Sequence, residues 1–386
     1  MIIELHLLQS FPVSNLNRDD IGQPKTATFG GQVRGRISSQ SLKRAARLLF
    51  GRYGLDPSET GVRTKRLVER SATVLRDAHG RDYDEAVGVV SSALLALGFG
   101  LDKRRNTLTE YLLFVGNKAV DLLAEYSERD WDRLAADATA RAKAAERKKA
   151  DAGEEKKSKV KPDKHTLEAA ARILDASRVV DVALFGRMIA DNKDFNVNAA
   201  SQVAHAISTH AVVNEYDYYT AVDDLQPTDE SGADMIGTVD FNSACYYRYA
   251  NLHLDQLSIN LPGDIDLVER AARAWLDAFI DAVPSGKQNS TAALTPPETF
   301  LVVVRDAGAW NLANAFLKPV ADSDLMAAST RALFEHFGRL RQFYGRGGLR
   351  AVVAASVNGD PEGFEPSEIA SSRAELVARA LAATKP

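Results

Sequence analysis

Cysteine is nearly absent from this 386-residue sequence. A single thiol, Cys245, excludes an internal disulfide and any zinc site built from cysteines. Set in a Tyr-rich stretch, it reads as a small core residue. Long apolar runs are absent too, since no stretch approaches the roughly 20 residues that a membrane-spanning helix needs. The opening MIIELHLLQSF has no basic leader region, and Glu4 and His6 interrupt its apolar run, so a soluble, cytoplasmic chain is expected. No phosphate-cradling loop is present. Gly345-Arg346-Gly347-Gly348 lacks the Lys-Ser/Thr that would follow in a P-loop, and Gly30-Gly31 lacks the spacing of a dinucleotide fingerprint. ATP hydrolysis is therefore not expected, and no solenoid-period repeat suggests an array.

What is present is ordinary globular material, 45% hydrophobic and 26% charged, long enough for about two or three folding units. The net charge of −4 argues against a surface that is basic throughout, but its distribution is uneven. Residues 17–52 carry eight Lys/Arg against two Asp, and residues 141–164 carry ten against five acids. Residues 190–240 reverse the balance, with ten acids against Lys193 alone, and residues 338–350 carry four Arg and no acid. Basic patches on an acidic body fit a defined anionic track, with other faces kept from nucleic acid at large; solvated surface charge is the plainer reading.

Residues 2–8 (IIELHLL) and 32–38 (QVRGRIS) predict strands, joined by a long polar loop with a Gly-Gly turn. SSQSLKRAARLLF predicts a helix, with Ser39 as N-cap and Leu42, Ala45, Ala46 and Leu49 as its apolar stripe. From about Thr60 to Leu184 the pattern is helical: VERSATVLRDA, EAVGVVSSALLALGFG, LTEYLLFVGNKAVDLLAEY and HTLEAAARILDA each repeat apolar residues at helical spacing. AERKKADAGEEKKSKVKPDK is expected to interrupt them as a mobile, hydrophilic loop. The Val-, Thr- and Tyr-rich AVVNEYDYYTAVDDL and TVDFNSACYYRYANLHL predict strands around a polar QPTDESGADMIG. LVERAARAWLDAFIDAV predicts a helix, ETFLVVVRD and GRGGLRAVVAASV predict strands, and SSRAELVARALAAT a terminal helix. The order predicts an α+β fold whose antiparallel sheet is interrupted by insertions.

Few residues carry chemistry. A metal or general-base site would draw on His205 and His210 with Asp223, Asp224, Asp19 or Asp20. The two histidines are five apart, off the helical zinc spacing, and adjacent Asp are commonly turn or cap residues. The stretch RISSQSLKRAAR differs. Lys43 and Arg44 fall in the early turns of a helix, a poor place for cations unless an anion lies at the helix end. A phosphate answers that need. Lys43 and Arg47 share a face, and Ser38 and Gln40 can hydrogen-bond phosphate or 2′-hydroxyl oxygens. An ordinary surface helix bearing cations is the alternative.

LNRDD (16–20), FGG (29–31), RISSQSLKRA (36–45), VDVALFGRM (180–188), HAISTH (205–210), YTAVDDL (219–225), YYRYAN (246–251), GKQ (286–288) and NAF (314–316) are collinear. Together they resemble the backbone subunit, CasC-type, of the type I-E CRISPR Cascade complex. The resemblance extends over most of the chain; the helical block and 141–164 match in character only. It implies a modified RNA-recognition-motif (ferredoxin-like) palm in 1–59 and 246–386, helical fingers inserted at 60–200, and a β-hairpin thumb with its flanks in 201–245. It implies a non-catalytic scaffold without cofactor or metal that polymerises head-to-tail along the spacer of a CRISPR RNA. The guide is kinked at regular intervals and presented to target double-stranded DNA, beside other Cascade subunits, and a recruited helicase-nuclease does the cutting.

By the same resemblance, Asn17, Arg18, Lys25, Ser38, Gln40, Lys43, Arg47 and Lys287 fall at guide contacts. Arg187 and Met188 fall where a side chain wedges the kinked base, and Thr220 falls on the thumb. Met188 otherwise reads as a core residue after Leu184 and Phe185. Phe185 replaces a small residue of the family pattern, and Arg47 stands where Lys is common. Lys148, Lys149, Lys156, Lys157, Lys159 and Lys161 are expected to face target DNA. Some related backbone subunits cleave bound RNA through an Asp, so a metal-dependent ribonuclease using Asp19, Asp20 or Asp223 is the competing expectation. A general single-strand binder is a third.

Overall fold

The computed structural model describes residues 1–150, 164–189, 193–221, 235–359 and 361–385. Its strands are β1 (Ile2–Ser14), β2 (Thr26–Phe29), β3 (Gln32–Ile37), β4 (Gly61–Thr64), β5 (Leu113–Gly116), β6 (Ser201–Val203), β7 (Ala206–Ser208), β8 (Glu215–Ala221), β9 (Met235–His253), β10 (Thr299–Arg305) and β11 (Leu349–Ser356). Its helices are α1 (Ser39–Leu49), α2 (Leu67–His79), α3 (Tyr83–Ala96), α4 (Ala119–Arg129), α5 (Trp131–Ala150), α6 (Lys164–Ile173), α7 (Val180–Phe185), α8 (Leu254–Asn260), α9 (Ile265–Asp281), α10 (Gln288–Thr291), α11 (Leu325–Tyr344) and α12 (Arg373–Ala382). The fold is mixed α+β, with two compact units: residues 1–54, 201–255 and 269–386, and residues 55–200 and 256–268. Among the described residues no helix is long and apolar enough to cross a membrane.

The first unit is built on a sheet in the order β11-β10-β1-β9-β7-β3-β2, with neighbours antiparallel. β1 is buried on both faces, which is why its sequence alternates poorly. On one face Leu8, Tyr247 and Leu301 pack with Phe316 and with Leu333 and Phe337 of α11. On the other, Arg248, paired with Leu7, donates to the Phe279 carbonyl of α9. Trp275 of the same helix is fully buried, and its Nε1 donates to Ser201 Oγ at 2.8 Å.

Most polar groups inside the sheet are partnered, as burial requires, although Arg34 Nε, Arg248 Nε and Arg305 Nη2 are not. The Tyr247 hydroxyl accepts the Leu312 amide at 2.9 Å and donates to His6 Nδ1 at 2.9 Å. Glu4 accepts from the Arg305 guanidinium, the Trp310 amide and the Tyr249 hydroxyl.

The polar loop expected before β3 contains β2. Phe29 pairs with Gln32, and Gly30 and Gly31 have φ of 60° and 76°, the two positive values a tight hairpin turn demands. A Cβ on Gly30 would collide with the Leu317 carbonyl.

The second unit packs α2 to α6 around Leu75, Val90, Leu94, Leu123 and Leu134. Two expectations change here. LLFVG, expected as helix, is strand β5, paired antiparallel with β4 from Gly61–Gly116 to Thr64–Leu113. The first residues of the expected loop are helical, because α5 runs on through RAKAAERKKA to Ala150. Alanine and the long charged residues there are strong helix formers, which composition read as loop conceals. Lys148 and Lys149 therefore lie on the last turn of α5, while Lys156, Lys157, Lys159, Lys161 and Asp223 lie outside the described residues.

Candidate nucleic-acid interface

Beyond β1 the chain enters a loop that hydrogen bonds fix in detail. Asn15 Nδ2 donates to the carbonyls of Gly22 at 2.9 Å and Asp240 at 2.8 Å, pinning the loop to β9. Asp19 Oδ1 accepts the amides of Ile21 at 3.1 Å and Gln23 at 2.9 Å, so this carboxylate shapes a turn. The Lys25 amide donates to the Asn17 carbonyl at 2.9 Å, and Asn17 Oδ1 accepts the Ser38 amide at 2.8 Å. Asn17, Lys25 and Ser38 are thus one cluster at the start of α1. Arg18 is exposed and bridges to Pro24. Gly286 lies so close to the Leu16 carbonyl that a Cβ would collide with it. That contact brings the exposed Lys287, itself at φ 53°, to the same loop.

The cap of α1 is Ser38, one residue before the expected Ser39. Ser38 has extended backbone (φ −68°, ψ 145°) and its Oγ accepts the Ser41 amide at 3.3 Å, whereas Ser39 is already helical. Ser38 is buried by this role. The Ser39 amide meets His205 Nδ1 at 3.3 Å. The attraction of this helix end for an anion therefore rests on surrounding side chains more than on open amides. Gln40, Lys43 and Arg47 follow at spacings of three and four, along one face. Arg47 sits in the last turn, where a cation complements the helix dipole; Lys43, a turn earlier, has no such explanation.

Other bases of the charge map turn inward. Arg34 is fully buried, donating to the carbonyls of Ser208 at 3.0 Å and Phe316 at 2.8 Å. In 338–350, Arg339 pairs with Glu335, Arg341 with Glu368 and Arg350 with Asp306, so three of its four arginines are neutralised by acids outside the segment.

The two histidines serve separate ends. His210 Nδ1 donates to the Ala211 carbonyl at 2.9 Å while its Nε2 accepts the Cys245 amide at 3.2 Å. His205 faces α1 instead. Among the described residues no group of three or more His, Cys, Asp or Glu is arranged to hold a metal ion. Cys245 is buried, as expected.

β8 pairs with β9 from Glu215–Phe241 to Ala221–Met235, and every residue of β8 is exposed. Tyr216, Tyr218 and Thr220 alternate onto one face of this hairpin. The Tyr219 ring lies over Gly237, where a Cβ would meet it.

The second unit holds Arg187 and Met188, and it separates their roles. Arg187 is buried: its guanidinium donates to the carbonyls of Phe195 at 3.0 Å, Phe114 at 3.3 Å and Leu174 at 2.8 Å. Met188 is 87% exposed, so it is not a core residue. It borders a cavity of about 400 Å³ that Phe99, Phe114 and the exposed Tyr111 and Leu112 also line. Arg63 stands there with its guanidinium 4.5 Å from the Phe114 ring centroid. Tyr111 and Leu112 escaped the sequence reading because they lie in a segment whose spacing looks helical.

No curated protein gives a significant sequence match. Two solved structures are similar over 100% of this chain and of their own. One is titled "CRISPR RNA-guided surveillance complex, pre-nicking", 31% identical with a TM-score of 0.82. The other is titled "CRISPR RNA-guided surveillance complex", 27% identical with a TM-score of 0.74. The model of the CT1975-like protein family matches residues 3–380, a span that takes in nearly all of both units. The chain belongs to the CT1975-like protein family, among the backbone subunits of Cascade-type CRISPR complexes.

Proposed function

We propose that this chain is the type I-E backbone subunit: a non-catalytic scaffold that polymerises along the spacer of a CRISPR RNA and kinks it at regular intervals. Bases between kinks are left free to pair with target DNA. The observation that carries the reading is the hydrogen-bonded joining of Asn17, Lys25 and Ser38 at the start of α1. Arg18, Gln40, Lys43, Arg47 and Lys287 extend that cluster. Such a surface reads phosphates and riboses and is blind to base identity, which a subunit serving every spacer requires.

In this reading the first unit supplies a modified RNA-recognition-motif palm and the β8–β9 thumb, and the second supplies the fingers. Met188 wedges the base at each kink, with Arg187 holding Met188 from within, and Thr220 belongs to the thumb. The acidic run 190–240 docks one copy on the next, head to tail. Other Cascade subunits complete the particle, and a recruited helicase-nuclease cuts the target. Lys148, Lys149, Lys156, Lys157, Lys159 and Lys161 attract target duplex. Changing these six to Ser lowers the duplex on-rate of the assembled complex and leaves its guide content intact; depleted guide with a normal on-rate would place them on the guide instead.

Sequencing the RNA that co-purifies with the complex tests the reading as a whole. A guide with constant repeat-derived ends supports it, while a random pool would make the chain a general single-strand binder. Incubation with complementary RNA and Mg²⁺ leaves that RNA whole; regularly spaced cuts would make the chain a ribonuclease.

A further inference from the structure

His205 lies between β6 and β7 and reaches the first turn of α1. Two donors converge on its Nδ1: the Ser39 amide at 3.3 Å and the Arg36 Nη1 at 3.3 Å. A nitrogen that accepts from both carries no proton, so the neutral ring bears its hydrogen on Nε2. The surroundings favour that neutral form. Burial, then Arg36 and Lys25, hold the imidazole below its ordinary pKa. Arg36 is itself tied down, its Nε donating to the Thr26 carbonyl at 3.1 Å. The ring is thus anchored at one nitrogen, yet the residue is exposed. It presents a fixed N–H donor beside Lys25 and the Asn17–Ser38 contact.

We propose that His205 is a further guide-contacting residue, its Nε2–H donating to a backbone oxygen of the RNA, either a phosphate oxygen or a 2′-hydroxyl. This rests on the RNA-binding reading above. The contact differs in kind from that of Lys43. A neutral, directional donor strengthens binding without releasing a counterion, so its loss leaves the salt dependence untouched.

The full-length chain is titrated with poly(U) and poly(dU) over a range of salt. In His205→Asn the side-chain oxygen can still take the Ser39 amide, but the outer donor is gone. In His205→Gln an amide N–H reaches the Nε2 position. The Asn variant is expected to bind poly(U) about three- to ten-fold more weakly with an unchanged salt slope, and Gln to recover most of the loss. A loss shared by poly(dU) assigns the contact to phosphate, and a loss confined to poly(U) assigns it to the 2′-hydroxyl. In the unaltered chain, poly(U) is expected to shift the His205 Nε2–H resonance in nitrogen-15-edited NMR, a readout that needs no variant. Undiminished binding by the Asn variant, equal losses in Asn and Gln, or an unmoved Nε2–H resonance would each overturn the proposal. Lys43→Ala serves as the separate control. If it fails to lower the salt slope, the track itself is misread; if it lowers the slope while His205 proves inert, only the His205 proposal falls.

Discussion

The side-chain oxygen of Asn17 accepts the backbone amide of Ser38 at 2.8 Å, joining a loop to a helix cap 21 positions later. The bond fixes where the loop's cations stand relative to Lys43. Asn17→Asp keeps the acceptor but adds a negative charge, so melting stays near the native value while RNA binding weakens most at low salt. Asn17→Ala leaves the amide without this partner and costs about 1 kcal/mol. Equal RNA affinity in Asn17→Asp and the native chain would show that no phosphate approaches this cluster.

Lys43 and Arg47 make a prediction about sequence blindness. Replacing both with Ala weakens guide binding by a similar factor for every spacer. Each lost phosphate contact lowers the salt slope by about 0.7. A loss that varies with spacer sequence would point to base contacts and away from the backbone track.

Arg187 and Met188, adjacent in sequence, have opposite fates on truncation. Arg187→Ala strips three carbonyls of their donor and costs about 3 kcal/mol or more, seen as a lowered melting temperature. Met188→Ala, at an exposed position, changes stability by less than about 0.5 kcal/mol. Its effect belongs in the assembled complex, as raised chemical reactivity at periodic guide positions. Unfolding of Met188→Ala without any periodic change would remove Met188 from the wedge.

His6 gives a pH dependence with a definite sign. Full burial, then the Arg305 charge, lower its pKa from 6.5 to about 3. Below the ordinary value the unfolded chain takes up a proton that the folded chain refuses. Stability from this group is therefore complete above pH 6.5 and falls by about 1.4 kcal/mol per pH unit on the way to about 3. Glu4, whose carboxyl is raised above 4.5 chiefly by burial, works in the opposite direction, adding stability as pH falls toward 4.5. Urea denaturation of His6→Gln beside the native chain isolates the share. An identical slope in both would assign it elsewhere.

Sequence carried the site further than the fold's details. RISSQSLKRA announced a capped, cationic helix, but either serine satisfies the capping rule, and only backbone geometry chose Ser38. TATF was too short to show alternation, so β2 emerged only through its partner β3. LLFVG has a spacing that suits a helix as well as a strand, and the pairing with Gly61–Thr64 that decided it is tertiary. Arg34 and Arg187 look like surface cations in a charge count, because nothing in a sequence reveals the carbonyls that will meet a guanidinium inside. His205 was weighed as a metal ligand since its chemistry is visible from sequence, whereas its position against Ser39 is not.

β9 changes partner at Asn242. Residues 235–241 pair with β8, and residues from Asn242 to His253 pair with β1. The exposed hairpin and the buried sheet therefore share one unbroken strand, and the hairpin is a cantilever with its root clamped between β1 and β7. The register against β1 shifts between Phe11 and Ser14, beside the point where β9 changes partner. The exposed end of the hairpin is thus held from Tyr246 and Tyr247, buried residues that pair with β1 on one side and β7 on the other.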